Sequence, residues 1–242
     1  LADPIIELLF NNNTLLSKNK FRHSYPHCWR HKTPLIYRAT PQWFISMSKN
    51  NLLSSVVKKT SDVNWIPLWG EARIKGMLEG RPDWCISRQR KWGVPITLLI
   101  NKKTGEPHSN SSIIFSRICK LVEEYGIEKW FDIGIEELID NPEDYEKVQD
   151  TLDVWFDSGS SHSAVLEKKP QLSFPADLYL EGSDQHRGWF QSSLITSVAV
   201  CNEPPYKAAM THGFTVDAKG NKMSKSKGNV IAPQKIIDRL GS

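Results

Sequence analysis

Residues 178–190 constrain the fold more than any other stretch: Leu178-Tyr179-Leu180-Glu181-Gly182-Ser183-Asp184-Gln185-His186-Arg187-Gly188-Trp189-Phe190. Leu178 and Leu180 alternate with Tyr179 and Glu181, the period-two pattern of a strand. Gly182 breaks the pattern, and Ser183 or Asp184 is expected to cap the helix that follows. Trp189, Phe190, Leu194, Ile195 and Val198 make that helix apolar on most sides, which predicts burial. In a mostly parallel sheet, as in an α/β fold, the end of such a strand beside a helix N-terminus is a ligand site, because free N–H groups and the helix dipole favour anions there.

A second stretch supplies the opposite charge. Lysines 219, 222, 225 and 227 crowd a loop bracketed by Gly220 and Gly228, with Asp217 the one nearby acid. Glycine lets such a loop move and lets its backbone approach a ligand closely. A mobile set of ammonium groups suits a polyphosphate, since nucleotidyl transfer loads negative charge onto the leaving pyrophosphate. A solvated lysine loop with no partner is the alternative reading of the charges alone.

Composition narrows the class. A chain of 242 residues can bury a real core, and its apolar share of 39% is that of a globular protein. The net charge of +4 permits contact with nucleic acid without requiring it. Cysteines 28, 85, 119 and 201 are far apart and follow no disulfide framework, so a reduced, cytoplasmic setting is expected. No basic start followed by an apolar run marks a signal peptide, and no stretch approaches the ~20 apolar residues of a membrane span. The chain does not begin with methionine, which suggests a processed chain or a fragment.

Taken in order, residues 3–13 fit a short helix, with Asp3 as cap and Pro4 in the first turn. In His23-Ser24-Tyr25-Pro26-His27-Cys28-Trp29-Arg30-His31, Cys28 and His31 have zinc-ligand spacing with His23 and His27 nearby. A structural zinc needs four ligands and no second pair lies close by, so no stoichiometric zinc is expected. Residues 34–40 and 42–47 read as strands, and 50–59 and 69–79 as helices. Trp84-Cys85-Ile86-Ser87-Arg88-Gln89-Arg90-Lys91-Trp92-Gly93 interleaves Arg88, Arg90 and Lys91 with aromatics. Such a block either holds phosphates and stacks on bases or ribose, or braces a domain junction. Residues 95–101 predict a strand, 111–125 an amphipathic helix, and 126–150 a solvated acidic connection. Leu152-Asp153-Val154-Trp155-Phe156 reads as a strand that turns into a helix at Asp157-Ser158-Gly159-Ser160-Ser161-His162. His162 lacks an orienting partner for a hydrolytic Ser–His pair. Residues 170–175 read as a loop, and a last helix is expected from Pro233 to Leu240, ended by Gly241.

Five ordered blocks then point one way. Lys222-Met223-Ser224-Lys225-Ser226 resembles the lysine signature of class I aminoacyl-tRNA synthetases. The strings 84–90, 153–160, 180–190 and Thr211-His212-Gly213-Phe214 resemble the bacterial-type isoleucyl-tRNA synthetase family in the same order. The resemblance runs from about residue 24 to the C-terminus. It implies the second half of a Rossmann-like catalytic domain, with an attached connecting segment from the inserted domain. Residues 1–25 would be the tail of the inserted editing domain, 26–150 the connecting and return segment, and 151–242 the second catalytic half with the lysine loop.

The implied activity is isoleucine–tRNA ligation. Isoleucine attacks the α-phosphorus of ATP to give isoleucyl-adenylate and pyrophosphate, and the tRNA terminal ribose then takes the aminoacyl group. ATP with Mg2+, isoleucine and tRNA are the implied ligands, with Arg88, Arg90 and Lys91 as possible tRNA contacts, and the family is usually monomeric. Lys222 and Lys225 would stabilise the phosphates. Glu181, Gly182, Asp184, His212, Gly213, Met223, Ser224 and Ser226 would bind ATP and the adenylate. Trp155, Gln185 and Trp189 would form the amino-acid pocket, Gln185 and Trp189 sharing a helix face four residues apart. Related enzymes often carry a cysteine pair near residue 28, from which this chain departs. The first-half ATP motif and the editing residues would lie upstream, so the segment alone is expected not to catalyse. A sister synthetase for valine, or a non-catalytic RNA-binding module derived from a synthetase, are the alternatives.

Overall fold

A computed structural model describes residues 2–28, 31–90 and 92–241, and the chain divides into two units, Leu1–Pro41 and Gln42–Ser242. The first unit holds helix α1, Ala2–Asn11, and a turn in which Cys28 N–H donates to the Thr33 carbonyl (2.8 Å). Residues 34–40, expected as a strand, form a single bridge, between Pro34 and His27. Ile36 and Tyr37 stand exposed there, so the alternation has no face to bury against.

The second unit begins with β1 (Phe44–Ile45), α2 (Leu52–Lys59), β2 (Asn64–Ile66) and α3 (Trp69–Leu78). It continues with β3 (Trp84–Cys85), β4 (Ser87–Arg88), β5 (Leu99–Asn101), α4 (Ser111–Tyr125) and α5 (Lys129–Asp132). Then follow β6 (Tyr145–Lys147), β7 (Thr151–Leu152), α6 (Val154–Gly159), β8 (Tyr179–Gly182), α7 (Trp189–Cys201), β9 (Ala208–His212) and α8 (Pro233–Leu240).

The site is organised by a parallel sheet of order β2-β9-β8. Its register pairs Glu181 with Thr211 and Gly182 with His212, so the two strands end level. The crossover between β8 and β9 is α7, and residues 190–198 are buried without a break. Phe190, Leu194, Ile195 and Val198 pack in one core with Trp65, Ile74, Leu78, Tyr179, Tyr206 and Ala209. Burying each large side chain contributes roughly 1.5–3 kcal/mol. The polar side of α7 is buried as well, beyond the apolar sides on which the expectation of burial rested. Its hydroxyls return to backbone: Ser193 donates to the Trp189 carbonyl (2.6 Å) and Thr196 to Gly159 (2.8 Å). That satisfaction is what permits their burial.

Three expectations are corrected here. Residues 126–150 are not a solvated connection. Trp130, Ile133 and Leu138 build a second core with Leu99, Ile114 and Ile118, and β6 pairs antiparallel with β5. The strand expected over 152–156 stops at Leu152, because the Asp153 carboxylate accepts the Trp155 N–H (3.3 Å) and starts α6 there. Trp155 is thus a first-turn helical residue. Neither Ser183 nor Asp184 caps the buried helix: residues 183–186 form a 3-10 turn, and α7 starts after Gly188.

Strands from both sides of residue 150 pair: β2 with β9 and β4 with β7.

Candidate active site

Gly182 is the last residue of β8, and what surrounds it defines the site. A Cβ at Gly182 would stand 2.8 Å from Asp184 Oδ1 and 3.7 Å from the His212 and Phe214 rings. Only a residue without a side chain leaves the strand end open beside that carboxylate. The His212 Nδ1–H donates to the Gly213 carbonyl (2.7 Å), which in the neutral ring leaves Nε2 as an acceptor. Glu181 and His212 are exposed at the same end of the sheet.

The lysine loop reaches this end through an aromatic contact. Lys222 Nζ lies 3.3 Å from the centroid of the Phe214 ring, the ring that borders Gly182. A cation over an aromatic face is attracted by the ring quadrupole. The loop itself is pinned from inside. Asp217 Oδ1 accepts the N–H groups of Lys219 and Asn221 (2.9 Å each), and Oδ2 accepts Asn229 Nδ2 (2.8 Å). Asn229 Oδ1 accepts the Ser224 N–H (2.9 Å), and the Met223 N–H donates to the Thr215 carbonyl (3.1 Å). The Asn229 amide, then the Asn221 and Lys219 N–H groups, hold the Asp217 carboxyl below its ordinary value. Asp217 therefore organises the backbone of the loop rather than serving only to oppose its lysines. Gly220 and Gly228 adopt φ of +76° and +68°, the left-handed turns that this clasp needs. Ser224 and Ser226 hydroxyls pair at 3.2 Å, and Lys225 is exposed.

Trp155, Gln185 and Trp189 meet around Gly188, but not as three walls of one cleft. A Cβ at Gly188 would touch the Gln185 side-chain oxygen and stand 2.8 Å from Trp155 Cη2. Gln185 lies on the 3-10 turn, so the expected shared helix face is corrected. Its Oε1 instead accepts the Trp189 N–H (2.9 Å), a side-chain cap for α7. Trp189 is braced inward: one indole face stacks on Tyr179 at 3.9 Å, and Nε1–H lies 3.0 Å from both the Ser158 carbonyl and Ser161 Oγ. Trp155 is 42% exposed and is the indole that faces outward.

Of the possible tRNA contacts, Arg88 turns inward: Nη2 pairs with Asp153 (2.9 Å) and Nη1 bonds the Cys85 and Ser87 carbonyls (2.8 Å each). Arg90 is exposed, and Lys91 lies outside the described residues, as do Trp29 and Arg30. Cys28 Sγ and His31 Nδ1 approach to 3.5 Å. Among the described residues no group of three or more His, Cys, Asp or Glu side chains could hold a metal ion. No helix among them is long and apolar enough to cross a membrane.

Sequence reasoning missed four residues that shape the site. His186 is fully buried, its ring stacked on Trp65 at 5.8 Å and tilted against Trp69 at 5.6 Å. Burial pushes its pKa down, and the nearby Arg73 adds to that, while the bond from Nδ1 to the Ser183 carbonyl opposes it. Phe214, Asn229 and Asp153 are the others. The spacing of Asp217 and Asn229 around the glycine-bracketed lysines was the available signal for the clasp.

Comparison with known proteins agrees with this geometry. The family profile described as "tRNA synthetases class I (I, L, M and V)" matches residues 9–242. The isoleucine–tRNA ligase of Thioalkalivibrio sulfidiphilus is 58% identical over 239 residues, 98% of this chain and 26% of that ligase. The isoleucine–tRNA ligase of Marinomonas sp. is 58% identical over 241 residues, 99% of this chain and 26% of the ligase. The chain thus spans about a quarter of the length of these relatives. A solved structure of Mycobacterium tuberculosis methionyl-tRNA synthetase bound by methionyl-adenylate shares the fold, with TM-score 0.53 at 18% identity. It covers 90% of this chain and 34% of that chain. The lysine loop, the level strand ends beside Gly182 and the profile match over nearly the whole length agree: the chain belongs to the class I tRNA synthetases of the I, L, M and V group.

Proposed function

We propose that this segment is the part of an isoleucine–tRNA ligase that grips the adenylate and stabilises its formation. The observation that supports the reading most is the contact between Lys222 and Phe214 at the end of β8, which brings the lysine loop to the strand ends. ATP would lie across those ends. Glu181, Asp184 and the acceptor Nε2 of His212 offer partners for amine and hydroxyl groups, and Gly182 and Gly213 offer backbone approach. Met223, Ser224 and Ser226 would carry the loop's backbone and hydroxyls to the phosphates. Lys222 and Lys225 would meet the charge that develops on the pyrophosphate as the carboxylate of isoleucine attacks the α-phosphorus. Trp155 and Gln185 would border the aliphatic side chain, with Trp189 bracing Gln185 from within.

Magnesium would arrive with ATP. With no converging carboxylate set among the described residues, it would be held mainly through phosphate oxygens and water. Transfer to the tRNA ribose completes the reaction, and Arg90 and Lys91 remain candidates for RNA contact. One methylene separates isoleucine from valine, too little for a hydrophobic pocket alone to reject, so hydrolytic editing elsewhere in the protein is implied.

The identity of the relatives favours isoleucine over valine, and nothing favours a non-catalytic module. The test is Lys225→Ala in the full-length protein that carries this segment. Loss of one preorganised electrostatic group should slow adenylate formation by roughly 10²–10³-fold, with a smaller effect on ATP affinity. Weaker ATP binding at an unchanged rate would contradict that role.

A further inference from the structure

The adenylate chemistry leaves unused a buried carboxylate near the site. Asp153 is 5% exposed, so its charge is sustained by partners rather than by water. Oδ2 accepts Trp84 Nε1–H at 3.0 Å and pairs with Arg88 Nη2 at 2.9 Å. Oδ1 accepts the Trp155 N–H, and the Asp153 N–H donates to the Ile86 carbonyl at 2.7 Å. Arg81 stands over the Trp84 ring and bonds Gln191 of α7, which closes the cluster from the other side. One carboxylate thus fastens the block 84–88 to the first turn of α6.

The second residue beyond that carboxylate is Trp155, whose ring edge borders Gly188, the glycine that the Gln185 side-chain oxygen also borders. The far end of α6 is held by α7, where Thr196 Oγ1 donates to the Gly159 carbonyl (2.8 Å) and Trp189 Nε1–H to the Ser158 carbonyl (3.0 Å), whereas Val154 and Trp155 in its first turn stand exposed. The geometry points to Asp153 as a positioning residue for the amino-acid pocket. Its ion pair with Arg88 fixes the first turn of α6, and that turn sets the indole of Trp155 against Gly188 and Gln185. The inference rests on the proposed function, since it gives Trp155 its pocket role from there.

The experiment is isoleucine-dependent ATP–pyrophosphate exchange by the full-length protein, with active sites counted by adenylate burst. Asp153→Asn keeps one acceptor oxygen, enough for Trp84 or Trp155 but not both, and loses the charge that meets Arg88. It should raise the KM for isoleucine by on the order of tenfold, leave the KM for ATP unchanged, and leave the burst count intact. Arg88→Lys, which keeps charge but loses the planar fork, should move the same constant in the same direction by less. If Asp153→Asn does not fold, Arg88→Lys carries the comparison. In a Trp155→Ala background, Asp153→Asn should add less than about twofold, because its effect runs through the indole. An unchanged KM for isoleucine in both single variants would overturn the role. So would full multiplication of the effects on the Trp155→Ala background, or a fall in burst count alone. Absence of isoleucine-dependent exchange in the unaltered protein would overturn the proposed function together with this inference, which separates the two failures.

Discussion

His186 shows how a single residue ties the site to the core. It sits between the strand-end turn and the helix, its ring flanked by Trp65 and Trp69 and its Nδ1–H bonded to Ser183. Burial depresses its pKa, so the folded state holds it neutral while the unfolded chain titrates near 6.5. The unfolded chain therefore binds more protons as pH falls through 6.5, and the contribution of His186 to stability, complete above that value, is lost below it. The full-length protein should melt at lower temperature at pH 5.5 than at pH 7.5, and His186→Gln should flatten that dependence. A His186 ring that NMR finds protonated at pH 6.5 or above would contradict the buried neutral state. In the sequence this histidine is one letter of a dense string. Only the fold reveals that two tryptophans more than 110 positions away close over it.

At the scale of the element, the lysine loop is held by residues that carry no positive charge. Asn229 joins both ends of the loop, donating to Asp217 and accepting from Ser224. Asn229→Ala should leave the lysines in place chemically but loosen their geometry. Misplacement by about 1 Å can cost roughly 10²-fold in rate, so kcat for adenylate formation should fall by that order while the KM for ATP moves less. Asn229→Asp should be worse, because it sets a second carboxylate against Asp217. Equal activity of Asn229→Ala and the unaltered protein would remove the clasp from the account.

The same scale shows where sequence and structure part. Helices α3 and α4 follow the expected spans within one or two residues, since their apolar spacing and their burial coincide. The stretch 152–156 misleads because its alternation is real, yet the buried Asp153 has a cap to make and an arginine partner to meet. Residues 126–150 mislead through their acidic surface: Trp130 and Leu138 are few among many charges, and their partners Leu99 and Ile118 come from earlier elements. Non-local partners of that kind leave no local periodicity to read.

For the molecule as a whole, the parallel trio β2-β9-β8 is the frame on which the site residues gather. Glu181, Gly182 and His212 fall at its carboxyl end, where open α/β sheets place ligands, and the sequence made this corner legible through Gly182 and the apolar helix behind it. The inward roles of Arg88 and Trp189 were not legible, because a basic or aromatic residue reads alike whether it faces ligand or core. The central claim is that this frame and its lysine loop activate isoleucine. ATP–pyrophosphate exchange by the full-length protein, across isoleucine, valine, leucine and methionine, measures that directly. The account predicts exchange with isoleucine at the highest kcat/KM, weaker exchange with valine, and near loss of both in Lys225→Ala. Exchange that prefers another amino acid, or that survives Lys225→Ala unchanged, would contradict it.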